Sequence, residues 1–332
     1  MQAMLSRRVG GPETLEMEEL PDPKPGAGEV LLAVKACGVN YPDLLIIEDR
    51  YQFKPPRPFA PGGEVAGVIE AVGAGVTSVK PGDRVIGSVI AGGMAEKLVL
   101  ACDQCIAMPA SMPFDEASAL VLTYGTSIYA LKDRAKLKSD ETLLVLGAAG
   151  GVGVSAVELG KAYGARVIAA VSSEDKLAFA KKRGADDGVV YPPGPFDKAG
   201  LKVLADLFKK ACGEDGADVI YDPVGGDYSE AALRAIAWEG RFLVVGFPAG
   251  IAKLPLNLTL LKSCQVVGVF WGAFSRRDPK ANAANIAELM QLYTKGAIKP
   301  VVSERFPLAR AGEAIARLGA RKAMGKIVVT ME

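Results

Sequence analysis

The sequence predicts a two-domain α/β chain, a domain of short β-strands followed by a parallel sheet clothed by helices. Three observations predict it. The 332 residues amount to about two domains of ordinary size. Over the first ~120 residues, β-rich runs are separated by Gly/Pro turns. From about Ser111 onward, strands and helices alternate with short joints, the pattern of a doubly wound sheet.

The first strands are "EVLLAVKACGV", "EVAGVIEAVG", "DRVIGSVI" and "AEKLVLA", with turns at "PKPGAGE", "GAGV" and "KPGD". These make a compact antiparallel or barrel-like β domain. "FDEASALVLTYGTSIYALKD" has the apolar spacing of a helix. Then "TLLVLGA" reads as a strand and "GVSAVELGKAYG" as a helix. "ARVIAAV" is a strand before the helix "EDKLAFAKKRG". "GVVY" is a short strand before the helix "GLKVLADLFKKACG". "ADVIYDPVG" is a strand, "YSEAALRAIAW" a helix and "GRFLVVGF" a strand. The sheet is expected to end with "CQVVGVFW", followed by the helix "KANAANIAELMQLYTKG" and a last strand, "GKIVVTM". Near-continuous apolar strands such as "TLLVLG" fit burial on both faces.

Hydrophobic residues are 50% of the chain and charged residues 23%, enough for large cores. A net charge of +1 argues against electrostatic nucleic-acid binding. No apolar run approaches the ~18 residues of a membrane span. The start, "MQAMLSRRVGG", lacks the apolar block of a signal peptide, so the expected location is cytoplasmic. Five scattered cysteines do not form a disulfide framework. The chain has no histidine, which removes Ser-His-Asp triads, Cys-His pairs, histidine-ligated metals and histidine acids together. Catalysis would use other groups or a cofactor's chemistry.

The strand "TLLVLG" runs into "AAGGVG" and a helix, the context of a Rossmann dinucleotide fingerprint. The pattern is A-x-G-x-x-G with Ala148 in first place. Gly150 lets the backbone approach a pyrophosphate, and Gly153 lets helix and strand pack closely. Ala149, Gly150, Gly151 and Val152 would offer the phosphates N–H groups and the helix's positive end. An NAD enzyme places Asp or Glu at the end of the second strand. Here Val171 ends that strand, followed by Ser172, Ser173 and Lys176, which suit the 2′-phosphate of NADPH. Glu174 and Asp175 oppose that reading unless they serve the start of the next helix, and Lys176 is otherwise an ordinary helix lysine. Tyr191, closing the third strand, either flanks the same phosphate or is a strand-end aromatic.

"VKPGDRV", "LTYGTSIYAL", "LVLGAAGGVG", "YDPVGG" and "GKIVV" together resemble the medium-chain dehydrogenase/reductase superfamily over essentially the whole chain. "GVNYPDLL", "TYGT", "AWEGR" and "LLKSCQVVGVFWG" resemble its quinone oxidoreductases, the quinone oxidoreductase-like protein 2 branch above all. The resemblance implies a GroES-like β-barrel domain plus a Rossmann domain. The expected division is 1–124 with 271–332 as the GroES-like catalytic domain and 125–270 as the NADPH-binding domain. Catalytic zinc in related alcohol dehydrogenases uses positions that fall here on Asn40, Gly63 and Thr123, not a zinc-binding set, so no metal is expected. Gly63, in "PFAPGGEVAG", stands where those enzymes have histidine, and Glu64 beside it is expected to serve structure. Their four-cysteine lobe is replaced by the short "GSVIAGGMAE". Cys102 and Cys105 form a lone C-x-x-C with no second pair.

The resemblance places Asn40, Tyr41 and Thr123 in the active site, with Tyr124 or Thr126 nearby; without it, "GVNYPD" is simply a polar turn after a strand. It puts Val245, Gly246, Phe247 and Phe270 near the nicotinamide carboxamide, and Asp222 to Gly225, including Val224, on the adenosine side. Lys326 would lie near the pyrophosphate. The implied activity is NADPH-dependent, zinc-free reduction of a quinone, a small-molecule electrophile that needs positioning and donors for its developing oxyanion. The alternatives are enone or enoyl-thioester reduction, with Tyr41 as proton donor, and an NADPH-binding protein without turnover. Family members commonly dimerise through the edge strand near Val267, so a homodimer is expected.

Overall fold

The structure is a computed structural model and describes residues 1–321 and 323–331. The chain forms two compact units, one of residues 1–122 with 300–332 and one of residues 123–299. The segment 271–299, expected with the first unit, groups with the second.

In the first unit a seven-stranded sheet is organised around the long strand Glu29–Val39. One side of this strand pairs with Glu64–Val72. Its other side is shared, the first half taken by Lys97–Ala101 and the second by Lys326–Thr330 near the C-terminus. Arg84–Ser88 and Cys105–Ala107 extend the sheet in one direction and Val302–Pro307 in the other. All pairs are antiparallel except the parallel pair Val302–Pro307 with Lys326–Thr330. Two register shifts against Glu64–Val72, between Leu31 and Leu32 and between Val34 and Ala36, let one strand serve these partners in turn. Val30, Leu32, Val34, Val65, Ile69 and Val85 supply one buried face, closed by Ile315, Ile327 and Val329. The hairpin Gln2–Leu5 with Glu16–Glu19 and the helix Ala311–Gly319 are not apparent in the sequence reading.

The second unit is a six-stranded, wholly parallel sheet. Its order is Asp187–Val190, Arg166–Val171, Thr142–Leu146, Ala217–Asp222, Ile236–Val244, Gln265–Gly268. Numbered along the unit this is 3-2-1-4-5-6, the Rossmann order, whose switch point lies between Thr142–Leu146 and Ala217–Asp222. Leu143 to Leu146 and Val167 to Val171 are buried on both faces, as their unbroken apolar runs predict.

Three elements differ from expectation. "FDEASALVLTYGTSIYALKD" breaks into the helices Phe114–Ala117 and Val121–Ile128 and a π-helical turn over Tyr129–Arg134. The helix expected over "YSEAALRAIAW" ends at Leu233, and Ile236 already pairs with Ala217 in the sheet. Trp271 opens the helix Trp271–Arg277 instead of closing a strand. Its indole lies against Gly125, where an added Cβ would come within 2.9 Å of the ring.

Both ends of the second unit's stretch of chain are held by one carboxylate. Glu158, buried on the helix Gly151–Ala162, accepts the Tyr124 hydroxyl at 2.6 Å and the Lys299 N–H at 2.9 Å. The Arg183 guanidinium completes the cluster through Nε at 2.7 Å.

Candidate functional site

The loops leaving the C-terminal ends of the second unit's strands gather nearly all the expected cofactor residues along one edge. After the first strand, Gly147 takes φ +59°, a left-handed turn that favours glycine, and the chain enters Gly151–Ala162 with Gly150 as N-cap. Val154 N–H is the first to bond back, to the Gly150 carbonyl at 2.8 Å. The N–H groups of Gly151, Val152 and Gly153 thus form the donor end of the helix. A Cβ on Gly153 would stand 2.1 Å from the Gly147 carbonyl oxygen, so helix and turn meet this closely only with glycine there. Ala148 and Ala149 are buried, while Gly150 and Gly151 are partly open. The left-handed residue is Gly147, one place before the fingerprint's first position; the "LGA" that ends the strand already contained it.

At the end of the second strand Val171 is buried and Ser172 exposed. Lys176 Nζ donates to Ser172 Oγ at 3.0 Å, bringing ammonium and hydroxyl together. Ser173 has a different task. It N-caps the helix Glu174–Lys182, its Oγ accepting Lys176 N–H at 3.3 Å. Glu174 and Asp175 fall in that helix's first turn, exposed, where acidic side chains suit the helix dipole. Tyr191 donates its N–H to the Val171 carbonyl at 2.8 Å. Its ring is buried 5.0 Å from that of Tyr228.

After the fourth strand Asp222 turns inward. Its Oδ1 accepts N–H groups of Val224 and Gly225, and its Oδ2 accepts the Ser229 hydroxyl at 2.5 Å. Burial pushes this carboxyl up from its ordinary range. Asp222 therefore shapes the loop and leaves its surface to Val224 and Gly225. After the fifth strand Val245 and Gly246 donate their N–H groups to the Asp222 carbonyl, and Phe247 is exposed. Phe270, after the last strand, is exposed as the N-cap residue of Trp271–Arg277. Thr126 is half-buried on Val121–Ile128. Thr123 is buried there, its carbonyl accepting the Ser155 hydroxyl at 3.1 Å. Tyr124 is buried and donates its hydroxyl to Glu158 Oε2 at 2.6 Å.

The first unit holds a second polar cluster, built where Glu29–Val39 runs into the helix Tyr41–Ile47. Asn40 is the N-cap. Its backbone N–H donates to Asp43 Oδ2 at 2.7 Å, and Asp43 N–H returns to the Asn40 carbonyl at 3.0 Å. The other Asp43 oxygen accepts Gly62 N–H at 3.1 Å. Asn40 Nδ2 donates to the Gly38 carbonyl and to Glu64 Oε2, each at 3.1 Å. Glu64 Oε1 accepts Leu122 N–H at 2.9 Å. Lys326 Nζ donates to Asn40 Oδ1 at 2.5 Å and to the Val39 carbonyl at 3.1 Å, and lies 3.6 Å from Glu64 Oε2. Asn40, Asp43, Glu64 and Lys326 are all buried. Burial raises the Asp43 carboxyl to about 6 and raises Glu64 as well, against the pull of the Lys326 ammonium. Tyr41, the first residue of the helix, is half-buried, and among the described residues its hydroxyl has no recorded hydrogen-bond partner. Lys326, expected beside the pyrophosphate, thus has its ammonium directed into the interior of the first unit.

Comparison with known proteins decides the family. Residues 26–113 match the alcohol dehydrogenase GroES-like domain, and residues 151–289 the family described as zinc-binding dehydrogenase. The chain is 36% identical over 332 residues to a quinone oxidoreductase-like protein 2 homologue of Nematostella vectensis, covering 99% of this chain and 88% of that protein. This chain belongs to the medium-chain dehydrogenase/reductase family. Human quinone oxidoreductase is 32% identical over 95% of this chain and 92% of its own. Among solved structures, a mycobacterial protein complexed with NADPH is similar at TM-score 0.90 and 30% identity, over 99% of both chains. Escherichia coli quinone oxidoreductase complexed with NADPH is similar at TM-score 0.87 and 29% identity, over 99% of this chain and 100% of its own.

The matched description raises zinc, and the residues of this medium-chain dehydrogenase/reductase family member do not fit it. Gly63 offers no side-chain donor, and the Asn40 amide oxygen already accepts from an ammonium. Zinc binds thiolate, imidazole or carboxylate. Cys37, the nearby thiol, is wholly buried and held protonated, its pKa pushed well above the ordinary range by that burial. The Lys326 ammonium already stands beside Glu64. Among the described residues no group of three or more Cys, Asp or Glu side chains could hold a metal ion. Cys102 and Cys105 flank a short 3₁₀ turn and pack against the core, with burial raising Cys105 to about 11. For a nicotinamide dinucleotide the fit is good, since the open Gly150–Gly151 turn, the bare helix end and the Ser172–Lys176 pair lie along one sheet edge.

Proposed function

We propose that this protein is an NADPH-dependent reductase that transfers hydride to a quinone without zinc. The observation that carries the cofactor assignment is the Lys176–Ser172 pair at the end of a strand that closes on Val171, where an acid would serve NAD. Two relatives solved with NADPH support it. The quinone assignment is supported by the names of the full-length relatives and by the chemistry on the page. A quinone accepts hydride readily, so the protein need only position it and offer donors to the developing oxyanion. Bound NADPH would supply the hydride. Ala149, Gly150, Gly151 and Val152 would hold its pyrophosphate, and Ser172 and Lys176 its 2′-phosphate with Tyr191 alongside. Val224 would lie on the adenosine side, with Gly246, Phe247, Phe270 and Thr126 toward the nicotinamide. Ser173 acts as the cap that seats Lys176.

Among the expected catalytic residues, Tyr41 is the donor this reading favours. Both Asn40 amide hydrogens are directed to Gly38 and Glu64, whereas the Tyr41 hydroxyl carries no recorded bond among the described residues. Thr123, buried on the helix Val121–Ile128, is the catalytic candidate of the second unit. A free phenol is also what an enone or enoyl-thioester reductase needs to protonate the α-carbon, which is the observation favouring the second reading. An NADPH-oxidation panel of quinones, enones and enoyl thioesters, run on the protein and on Tyr41→Phe, separates the two. Quinone turnover by wild type that falls by about tenfold or more in Tyr41→Phe supports the first reading, and an enoyl turnover that collapses while quinone turnover stays intact supports the second. Tight NADPH binding with no acceptor turned over leaves a nucleotide-binding protein and refutes both.

We also propose a homodimer joined at the sheet edge near Val267. Val266 of the edge strand is exposed, and Ile251, Leu256, Leu260 and Leu261 stand exposed on neighbouring segments. Light scattering at the monomer mass would overturn it. The proposed location is cytoplasmic. Among the described residues no helix is long and apolar enough to cross a membrane.

A further inference from the structure

Lys326 opens the strand Lys326–Thr330, and the next residue, Ile327, pairs with Val39. That register places the lysine side chain against the turn from Val39 into Asn40. An ammonium has three N–H donors, and three acceptors surround this one, namely Asn40 Oδ1, the Val39 carbonyl and Glu64 Oε2. The Asn40 amide is thereby oriented. Its oxygen faces the ammonium, and its two hydrogens face the Gly38 carbonyl and Glu64. Turning the amide over would set NH₂ against the ammonium and oxygen against two acceptors, losing every one of these bonds. The same residue is the N-cap of the helix that begins at Tyr41, joined to it through its backbone N–H, which Asp43 Oδ2 accepts, and Lys326 holds that backbone directly at the Val39 carbonyl.

We propose that Lys326 is a positioning residue for the reduction, fixing the Asn40 amide and, through this N-cap, the start of the helix that carries the Tyr41 hydroxyl. The inference rests on the reading of Tyr41 as the substrate-facing donor. It replaces the role beside the pyrophosphate that the sequence suggested, because a lysine with all its donors turned inward has none for a phosphate.

The two roles separate kinetically. Lys326→Met would leave Glu64 as an uncompensated buried charge, so the double variant Glu64→Gln/Lys326→Met is measured with it to remove that liability. The dissociation constant for NADPH is taken from nicotinamide fluorescence without acceptor, and kcat and KM from the acceptor reduced fastest. Expected in both variants is an NADPH dissociation constant within about threefold of wild type, with kcat lower by ~10- to 100-fold, the range for a displaced catalytic group. A tenfold weaker NADPH complex with kcat intact would make Lys326 a phosphate ligand and overturn the proposal, as would no change in either constant. If wild type reduces no acceptor, the functional reading fails by itself. The Lys326–Asn40 link is then decided by the side-chain amide resonance of Asn40, assigned by its loss in Asn40→Ala. It should shift in Lys326→Met, and an unmoved resonance refutes the link.

Discussion

In the proposed function the cofactor preference turns on one side chain, so Lys176→Ala is the sharpest perturbation. Lys176 Nζ stands 3.0 Å from Ser172 Oγ, and the lysine is half-buried. A hydrogen bond to a charged group contributes ~1.5–3 kcal/mol when well sheltered. Solvent screening of this partly open site reduces that to ~1–2 kcal/mol, or about 5- to 30-fold in the NADPH dissociation constant. The fold should tolerate the change, because the Lys176 N–H that bonds to Ser173 Oγ is a backbone group and remains. NADH lacks the 2′-phosphate, so its dissociation constant should move less than about twofold. Fluorescence titration of both nucleotides against both proteins, at low and high salt, gives the four constants. The wild-type advantage for NADPH should shrink with salt, and the variant should have lost most of it. Equal weakening of NADPH and NADH in Lys176→Ala, or a wild type that prefers NADH, would refute the reasoning.

Two further outcomes are expected. Glu158→Ala strips partners from Tyr124, Lys299 and the Arg183 guanidinium at once. Breaking a buried charge pair costs ~3–5 kcal/mol; urea unfolding should show a loss of that order, with Glu158→Gln milder, and a loss below ~1 kcal/mol would contradict it. Asp43 titrates at about 6 in the folded protein against 3.8 for the ordinary group, because it is buried. A carboxyl whose folded pKa is raised binds its proton more tightly folded than unfolded. Its contribution to stability therefore falls as pH rises from about 4 to about 6 and is level on either side. A shift of about two units amounts to ~3 kcal/mol. Urea unfolding across that window should show wild type losing stability relative to Asp43→Asn, and parallel curves would count against it.

The strands were legible where apolar composition and turn chemistry agreed. "EVLLAVKACGV" is a strand from end to end because Gly/Pro turns precede it and Asn40-Tyr41-Pro42 stops it. The doubly wound sheet was legible for the same reason, each strand being an apolar run followed by a helical repeat. Local pattern failed where distant pairing decided the outcome. Nothing in "LRAIAW" distinguishes helix from strand, and it is Ala217 beside Ile236 that draws the segment into the sheet. Trp271 has the apolarity of a strand residue, yet the space over Gly125 holds its ring as the start of a helix.

The same division runs through the proposed site. Ser172 lies just before the N-cap Ser173 and Lys176 in the first turn of the helix that follows, so their meeting over four residues could be read from spacing. Lys326 and Asn40 are 286 residues apart and meet only because the last strand pairs with Glu29–Val39. A family pattern can assign each a separate task, but the backbone brings them into one buried cluster with two carboxylates and a single ammonium. Such a cluster is costly unless its hydrogen bonds are filled. Here Asp43 takes two backbone N–H groups, while Glu64 takes backbone N–H groups at Leu122 and Val121 and one from the Asn40 amide. Lys326 closes the set. The Asn40 amide is the piece that touches both charges, so its orientation depends on the ammonium at one end and the carboxylate at the other. Gly63, next to Glu64, brings no side chain to this cluster, and a Cβ there would stand 3.0 Å from the Val89 carbonyl oxygen, so the only ammonium among these residues comes from Lys326 near the far end of the chain.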